Sequence, residues 1–184
     1  MVGVNEMDNE WTTVEILRHS RHDWLNKIQL IKGNLELERS DRARAIIEEI
    51  IIESQHEARL SNLKMPQFGE LLMTANWQPC AFRCEFEVID TIKGCSNLDE
   101  TITAWTRKLF AILNESLDGY SENVLTVSIF ETNAKNIRFS FDLEGSRKED
   151  DSLMRLLSQP LDKLEHVSSE FTETCVVFTL DMKI

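Results

Sequence analysis

Twelve consecutive residues, Arg18-His19-Ser20-Arg21-His22-Asp23-Trp24-Leu25-Asn26-Lys27-Ile28-Gln29, gather two histidines, three cations, a carboxylate and two carboxamides. On a helix, His22, Leu25, Asn26 and Gln29 fall on one side, at i, i+3, i+4 and i+7. His22 follows Arg21 by about 100° and so flanks the apolar face that runs through position 21. A histidine held there by a rigid helix yet open to solvent suits a nucleophile that meets a large partner. Neutral imidazole is nucleophilic near pH 7. Arg21 and Lys27 could steady the charge of a phosphoryl group, and Asn26 could donate a hydrogen bond to it one turn away. Asp23 could orient or polarise the imidazole, although adjacent helix positions point apart. On spacing alone a solvated surface histidine is the commoner outcome, and His19 is equally eligible.

The element carrying these residues reads as helix. Residues 12–63 contain no proline and a single glycine, Gly33. Leu17, Arg21, Trp24, Ile28, Ile31 and Leu35 step by fours and threes, a stripe broken by one arginine. Ser40 and Asp41 interrupt the pattern and suit a helix start. A second helix, with Ile46, Ile47, Ile50, Ile51 and Ile52, runs to about Leu63, where Met65-Pro66 stops it. A lone αα-hairpin cannot bury two apolar stripes. Two copies packed into a C2 four-helix bundle would cover both; the alternative covers them with the C-terminal half of the same chain.

Beyond Pro66 the pattern changes. A short helix is expected from Gln67 to Trp77, a strand through Phe82, Cys84, Phe86 and Val88, and a long helix over 99–118 with Ile102, Trp105, Leu109, Ile112 and Leu113 on one face. Strands at 124–131 and 137–143 are joined through Asn133-Ala134-Lys135-Asn136. A helix at 150–158 and a strand pair at 167–171 and 175–182 complete the order. The fold class is α+β: a helical hairpin, then an α/β sandwich with helices on one face of the sheet. The expected divisions are a frayed N-terminus at 1–11, the hairpin at 12–65 and the sandwich at 66–184.

Charge follows the same division. The 184 residues carry 20 bases and 32 acids, for −12. Residues 15–64 balance to zero, whereas 65–184 net −9. That acidity disfavours nucleic acid and anionic membrane surfaces as partners. The longest apolar runs fall far short of a bilayer span, and the acidic start is unlike a signal peptide, so a cytoplasmic protein is expected. Cys80, Cys84, Cys95 and Cys175 show no metal spacing and read as reduced, partly buried thiols. Glu53-Ser54-Gln55-His56 has the Glu-x-x-His form of di-iron bundles but occurs once among charged neighbours, and a solvated face is the better reading. Glu149-Asp150-Asp151 reads as a charged helix start, with Asp151 or Ser152 near the cap. Trp24 and Trp105 fit apolar faces and are expected in the core. No metal site is expected.

Residues 19–35, HSRHDWLNKIQLIKGNL, resemble the H-box of two-component phosphorelay proteins. The chain is similar to the phosphorelay histidine phosphotransferases related to sensor histidine kinases, and within them to the sporulation initiation phosphotransferases. The likeness extends through the acid-rich second helix, the SNLK-x-P run at Ser61–Pro66 and TRKLF at Thr106–Phe110. It implies that His22 of RHDW, rather than His19, is phosphorylated. It further implies a homodimer formed through the hairpins. This dimer would take a phosphoryl group from the aspartyl-phosphate of one response regulator and pass it to the aspartate of a second, a sporulation transcription factor. Regulators would dock along the first helix, with Arg18, His19, Leu25, Gln29 and Lys32 at the contact. Mg²⁺ would arrive with the regulator, and this chain would bind no cofactor.

The resemblance makes the C-terminal half a degenerate kinase ATPase domain. Such domains carry paired asparagines one turn apart on a helix, then Asp-x-Gly-x-Gly. In the best register the asparagine positions hold Ala111 and Glu115, with Asn114 one position off. Asp142-Leu143-Glu144-Gly145-Ser146 keeps one glycine, one residue late. No two of the six glycines lie close enough for a phosphate-cradling loop. No nucleotide site is therefore expected. A histidine-kinase core and a non-catalytic regulator-binding scaffold remain the competing classes. Labelled ATP separates the first, and a phosphorylated regulator separates the second.

Overall fold

A computed structural model of the chain describes residues 11–89, 92, 94–119, 121–133, 136–146, 151–172 and 175–183. Helix α1 (Thr13–Glu36) begins at a reciprocal cap. Thr12 Oγ1 accepts from the Glu15 N–H at 3.3 Å, while the Glu15 carboxylate accepts from the Thr12 N–H at 2.9 Å and its hydroxyl at 2.6 Å. These bonds hold the Glu15 carboxyl below its usual range. At the other end the Arg39 N–H reaches the Asn34 carbonyl at 2.8 Å and the Glu38 N–H reaches that of Leu35 at 3.0 Å. That is a Schellman motif, and it puts Glu38 at φ 58°. Helix α2 (Ser40–Asn62) follows at once.

The chain separates into two compact units, one ending at Ile52 and one beginning at Glu53, within α2. In the first unit α1 buries none of its residues. Leu17, Trp24, Ile28 and Leu35 all lie open along the stripe, as do Ile47, Ile51 and Ile52 on α2. Trp24, expected in the core, is 51% exposed, because nothing among the described residues of this unit covers that face. Ala43 and Ile46 are the buried residues among those described in this unit.

The second unit opens with the last turns of α2. His56 is half-buried, not on the solvated face expected of it. Its Nδ1 accepts from the Val88 N–H at 3.0 Å, and the Arg59 guanidinium donates to the Val88 carbonyl at 2.9 Å. Both side chains thus fasten the helix to the end of strand β1 (Arg83–Val88). Leu63 ends the helix, and Lys64 takes φ 56° before Met65 and helix α3 (Pro66–Thr74). Proline stands at the first helical position, where its missing N–H costs nothing.

Strand β1 runs parallel to β2 (Val124–Asn133), joined through helix α4 (Asp99–Ser116). Strands β3 (Asn136–Glu144), β5 (Cys175–Lys183) and β4 (Leu164–Phe171) extend the sheet antiparallel, in the order β1-β2-β3-β5-β4. The β2–β3 hairpin closes on an Asn133–Asn136 pair; its residues 134 and 135 lie outside the described set. Alternation decides the faces. Ile137, Phe139, Phe141 and Leu143 are buried, while Arg138, Ser140 and Asp142 point the other way. Trp105, buried as expected, packs on Phe141 and Phe178, whose rings stack at 5.1 Å. The short helix α5 (Ser152–Leu157) adds Leu153 and Leu156 to the same core. Asp151 occupies its N-cap position, but its side chain makes no capping bond; Glu149 and Asp150 lie outside the described residues. On the opposite face, Arg138 forms a bidentate pair with Asp181 at 2.6 and 2.7 Å.

One carboxylate organises the helical layer. Asp99, 6% exposed, accepts from the N–H groups of Phe68 at 2.9 Å and Gln67 at 3.1 Å. It therefore caps α3 from the first turn of α4, at the positive ends of two helices. The four cysteines are free; burial pushes the Cys84 thiol to about 12 and Cys95 to about 11, leaving both protonated at neutral pH.

Two stability predictions follow from these contacts. Asp99→Ala strips the cap from buried N–H groups and should cost about 2–3 kcal/mol, read as a lower midpoint in urea unfolding. Glu38→Gly removes left-handed strain at an exposed turn, partly offset by a freer unfolded chain, and should stabilise the hairpin by about 0.5–1 kcal/mol, read as a higher melting midpoint.

Candidate functional site

The window read as chemistry occupies the middle of α1, clear of both caps. His22 is open, with its side chain 72% exposed. Two groups approach its Nδ1: the Asp23 carboxylate at 3.5 Å and the Asn26 amide at 3.2 Å. Neighbouring helix positions were expected to keep Asp23 away, yet its short side chain leans back along the helix far enough to reach the ring. Asn26 turns its amide to the imidazole rather than to the space beyond it. Both contacts fall on Nδ1, so no hydrogen-bond partner to Nε2 is among these contacts. With Nδ1 protonated, Nε2 keeps a lone pair in the ring plane, which is what a nucleophilic imidazole needs.

The other expected residues sort by exposure. Arg18, Arg21, Leu25 and Gln29 are exposed on α1. Lys27 is half-buried. Lys32 is exposed and pairs with Glu36 at 3.5 Å, one turn on. His19 is half-buried, with the Trp11 ring edge-on at 5.0 Å, so it offers less surface than His22. A shallow depression of about 430 Å³ lies along the same helix between Ile28, Ile31, Lys32, Leu35 and Glu36. Among the described residues no group of three or more His, Cys, Asp or Glu side chains could hold a metal ion. No described helix is long and apolar enough to cross a membrane.

In the sheet unit, Ala111 and Glu115 both lie on the exposed side of α4. Asn114 faces elsewhere: its Oδ1 accepts from the Ala81 N–H at 2.9 Å, tying α4 to the chain entering β1. The lone glycine near the end of β3 has a packing role. Asn123, buried, donates to the carbonyls of Ala81 (2.7 Å) and Asp118 (2.8 Å) and accepts from the Ser146 N–H (3.0 Å). A Cβ on Gly145 would run into the Asn123 side chain. The sequence reading missed this asparagine; a lone Asn ahead of an alternating strand gives no periodic signal. A cleft of about 650 Å³ opens beside it, lined in part by Gln78, Cys80, Arg83 and Glu122. Its one arginine is held by Glu85 at 2.6 Å.

A helical segment followed by a mixed five-stranded sheet with helices on one face is the architecture of histidine-kinase cores. The blue-light activated histidine kinase of Erythrobacter litoralis EL346 shares it, with a TM-score of 0.50 at 13% identity, over 94% of this chain and 60% of that one. The catalytic domain of histidine kinase ThkA matches at a TM-score of 0.41 and 11% identity, over 68% of this chain and 92% of that one. Residues 64–183 match the model for the C-terminal domain of sporulation initiation phosphotransferase B, and residues 4–63 match that for the Spo0B-type sensor-kinase α-helical domain. The chain belongs to the sporulation initiation phosphotransferase B family. Sporulation initiation phosphotransferase B of Bacillus subtilis (strain 168) is 45% identical over 116 residues, 63% of this chain and 60% of that protein.

Gly145→Ala should break the Asn123 cluster while leaving α1 untouched. It should destabilise the sheet unit by about 2–3 kcal/mol in denaturant unfolding and leave the helical signal of the hairpin in place.

Proposed function

We propose that the chain is a phosphorelay phosphotransferase, and that His22 takes a phosphoryl group from the aspartyl-phosphate of one response regulator and passes it to the aspartate of another. The observation that carries this reading is His22 itself: open on a long helix, with Nδ1 engaged by Asp23 and Asn26. Its place in a family of phosphotransferases that act in sporulation supports the same reading and its role in sporulation initiation.

In the forward step the Nε2 lone pair forms a bond to phosphorus in line with the bond to the aspartyl oxygen. That P–O bond breaks, and its electron pair returns to the regulator's carboxylate. The ring keeps its Nδ1 proton and becomes cationic, opposite the Asp23 carboxylate. The second step reverses the roles, with the acceptor's carboxylate attacking and Nε2 leaving. The transition state is loose, so positioning and charge stabilisation dominate. Arg18, Arg21 and Lys27, with the exposed Lys32, offer positive charge to the acidic phosphoacceptor pocket of a regulator, which brings its own Mg²⁺. Leu25 and Gln29 sit on the docking face beside His22.

Two copies packed together would cover the open stripes. The exposed leucines, isoleucines and Trp24 of the hairpin form a patch far larger than singly scattered apolar residues. A homodimer packing them into a four-helix bundle leaves His22 at the flank, accessible to a regulator. The reading includes no autokinase step: Ala111 offers no ligand, Glu115 would repel phosphate, and Asn114 and Gly145 are committed to structural contacts.

The test supplies a regulator bearing labelled aspartyl-phosphate. Label should appear on the chain as acid-labile phosphohistidine and then on a second regulator, and His22→Gln should abolish both. Undiminished labelling of His22→Gln, or label lost only in His19→Gln, would overturn the assignment.

A further inference from the structure

Asp23 and Asn26 make incompatible demands on one ring nitrogen as the amide is drawn. If the Asn26 NH₂ donates to Nδ1, that nitrogen must carry a lone pair, and the ring proton moves to Nε2. Nε2 is then no nucleophile, and the Asp23 carboxylate faces a lone pair. If Nδ1 carries the proton, Asp23 at 3.5 Å is a suitable acceptor, and the Asn26 amide fits only with its oxygen turned to the ring. The two ends of an amide are nearly identical in shape, so the surrounding network decides which one faces the ring. Only with the oxygen turned to the ring are both contacts attractive at once.

We infer that Asn26 is a positioning residue: through its amide oxygen it works with Asp23 to hold the proton of neutral His22 on Nδ1 and so reserve Nε2 for the phosphoryl group. The inference rests on the transfer role proposed for His22. It gives Asn26 a different function from the one its spacing suggests, a donor aimed at phosphate. The two roles need opposite ends of the same amide, so they can be separated. Asp in place of Asn26 keeps an acceptor and loses the donor; Leu keeps the bulk and loses both.

The measurement is the tautomer of His22 in the full chain, read from imidazole ¹⁵N shifts and ring two-bond couplings at alkaline pH, with no regulator present. The native chain should show Nδ1–H as the main form. Asn26→Leu should shift the ratio toward Nε2–H about fivefold, the effect of one exposed hydrogen bond. Asn26→Asp should keep Nδ1–H. In the transfer assay Asn26→Leu should slow labelling of His22 by a similar factor. A native ring protonated mainly on Nε2, or an Asn26→Leu tautomer ratio equal to the native one, would overturn the inference. So would Asn26→Asp losing the Nδ1–H form while Asn26→Leu keeps it. The tautomer is read without phosphate, so a failure of His22 to accept label would count against the transfer reading alone.

Discussion

Helix α1 buries none of its own residues, and the rest of the hairpin's behaviour follows from that. Most of a helix's stability in a protein comes from packing its apolar side against something else. Among the described residues its ends are held locally, by the Thr12–Glu15 cap at one end and the Schellman turn at the other. Neither fixes the middle, where His22 lies. A second copy laid on the stripe of Leu17, Trp24, Ile28, Ile31 and Leu35 would order that middle and still leave the flank open. In the proposed dimer, burial and reactivity therefore sit on adjacent faces of one helix. A better-covered hairpin would be stiffer, but it would hide the nucleophile from a protein-sized partner.

The sheet unit answers a different need. Its aromatic cluster of Trp105, Phe141 and Phe178, with the buried cap at Asp99, makes a core of its own. It also takes hold of the end of α2 through His56 and Arg59, so the last turns of that helix are fixed to β1. A shared architecture does not by itself set the chemistry of this unit. The kinase-like layers persist because the strand alternation and the helix faces persist. On α4, Ala111 and Glu115 are exposed, and Asn114 is bound up in holding the loop before β1.

Periodic features were legible in the sequence and non-periodic ones were not. Helix and strand positions followed from spacing, and the β1–α4–β2–β3–α5–β4–β5 order with them. Sheet order was not readable, since nothing local tells β5 to pair with β3 on one side and β4 on the other. The turn after α1 was placed at Ser40-Asp41, but its left-handed residue is Glu38, where a glycine would have announced it. Asn123 was invisible, and His56 was misread as solvated, for a related reason: each satisfies backbone groups far away in sequence, and neither lies on a stripe. Trp24 was expected in the core but is exposed, because the spacing of a stripe does not say what covers it. At His22, spacing picked out the residues, but only the distances brought Asp23 to the ring and turned Asn26 from the phosphate to the imidazole.

Those distances also suit a two-way relay. A histidine that must both receive and release a phosphoryl group cannot be strongly stabilised on either side. An ion pair buried tightly against Nδ1 would favour the cationic phosphorylated ring and slow its discharge to the second regulator. Asp23 instead stands at 3.5 Å, half open to water, where a charge pair is weak and screened. It can bias the proton to Nδ1 and ease the developing charge without trapping the intermediate. The same reasoning explains why the cations lie along α1 rather than against the ring. In the proposed relay they would help an acidic regulator approach and then be left behind when it departs.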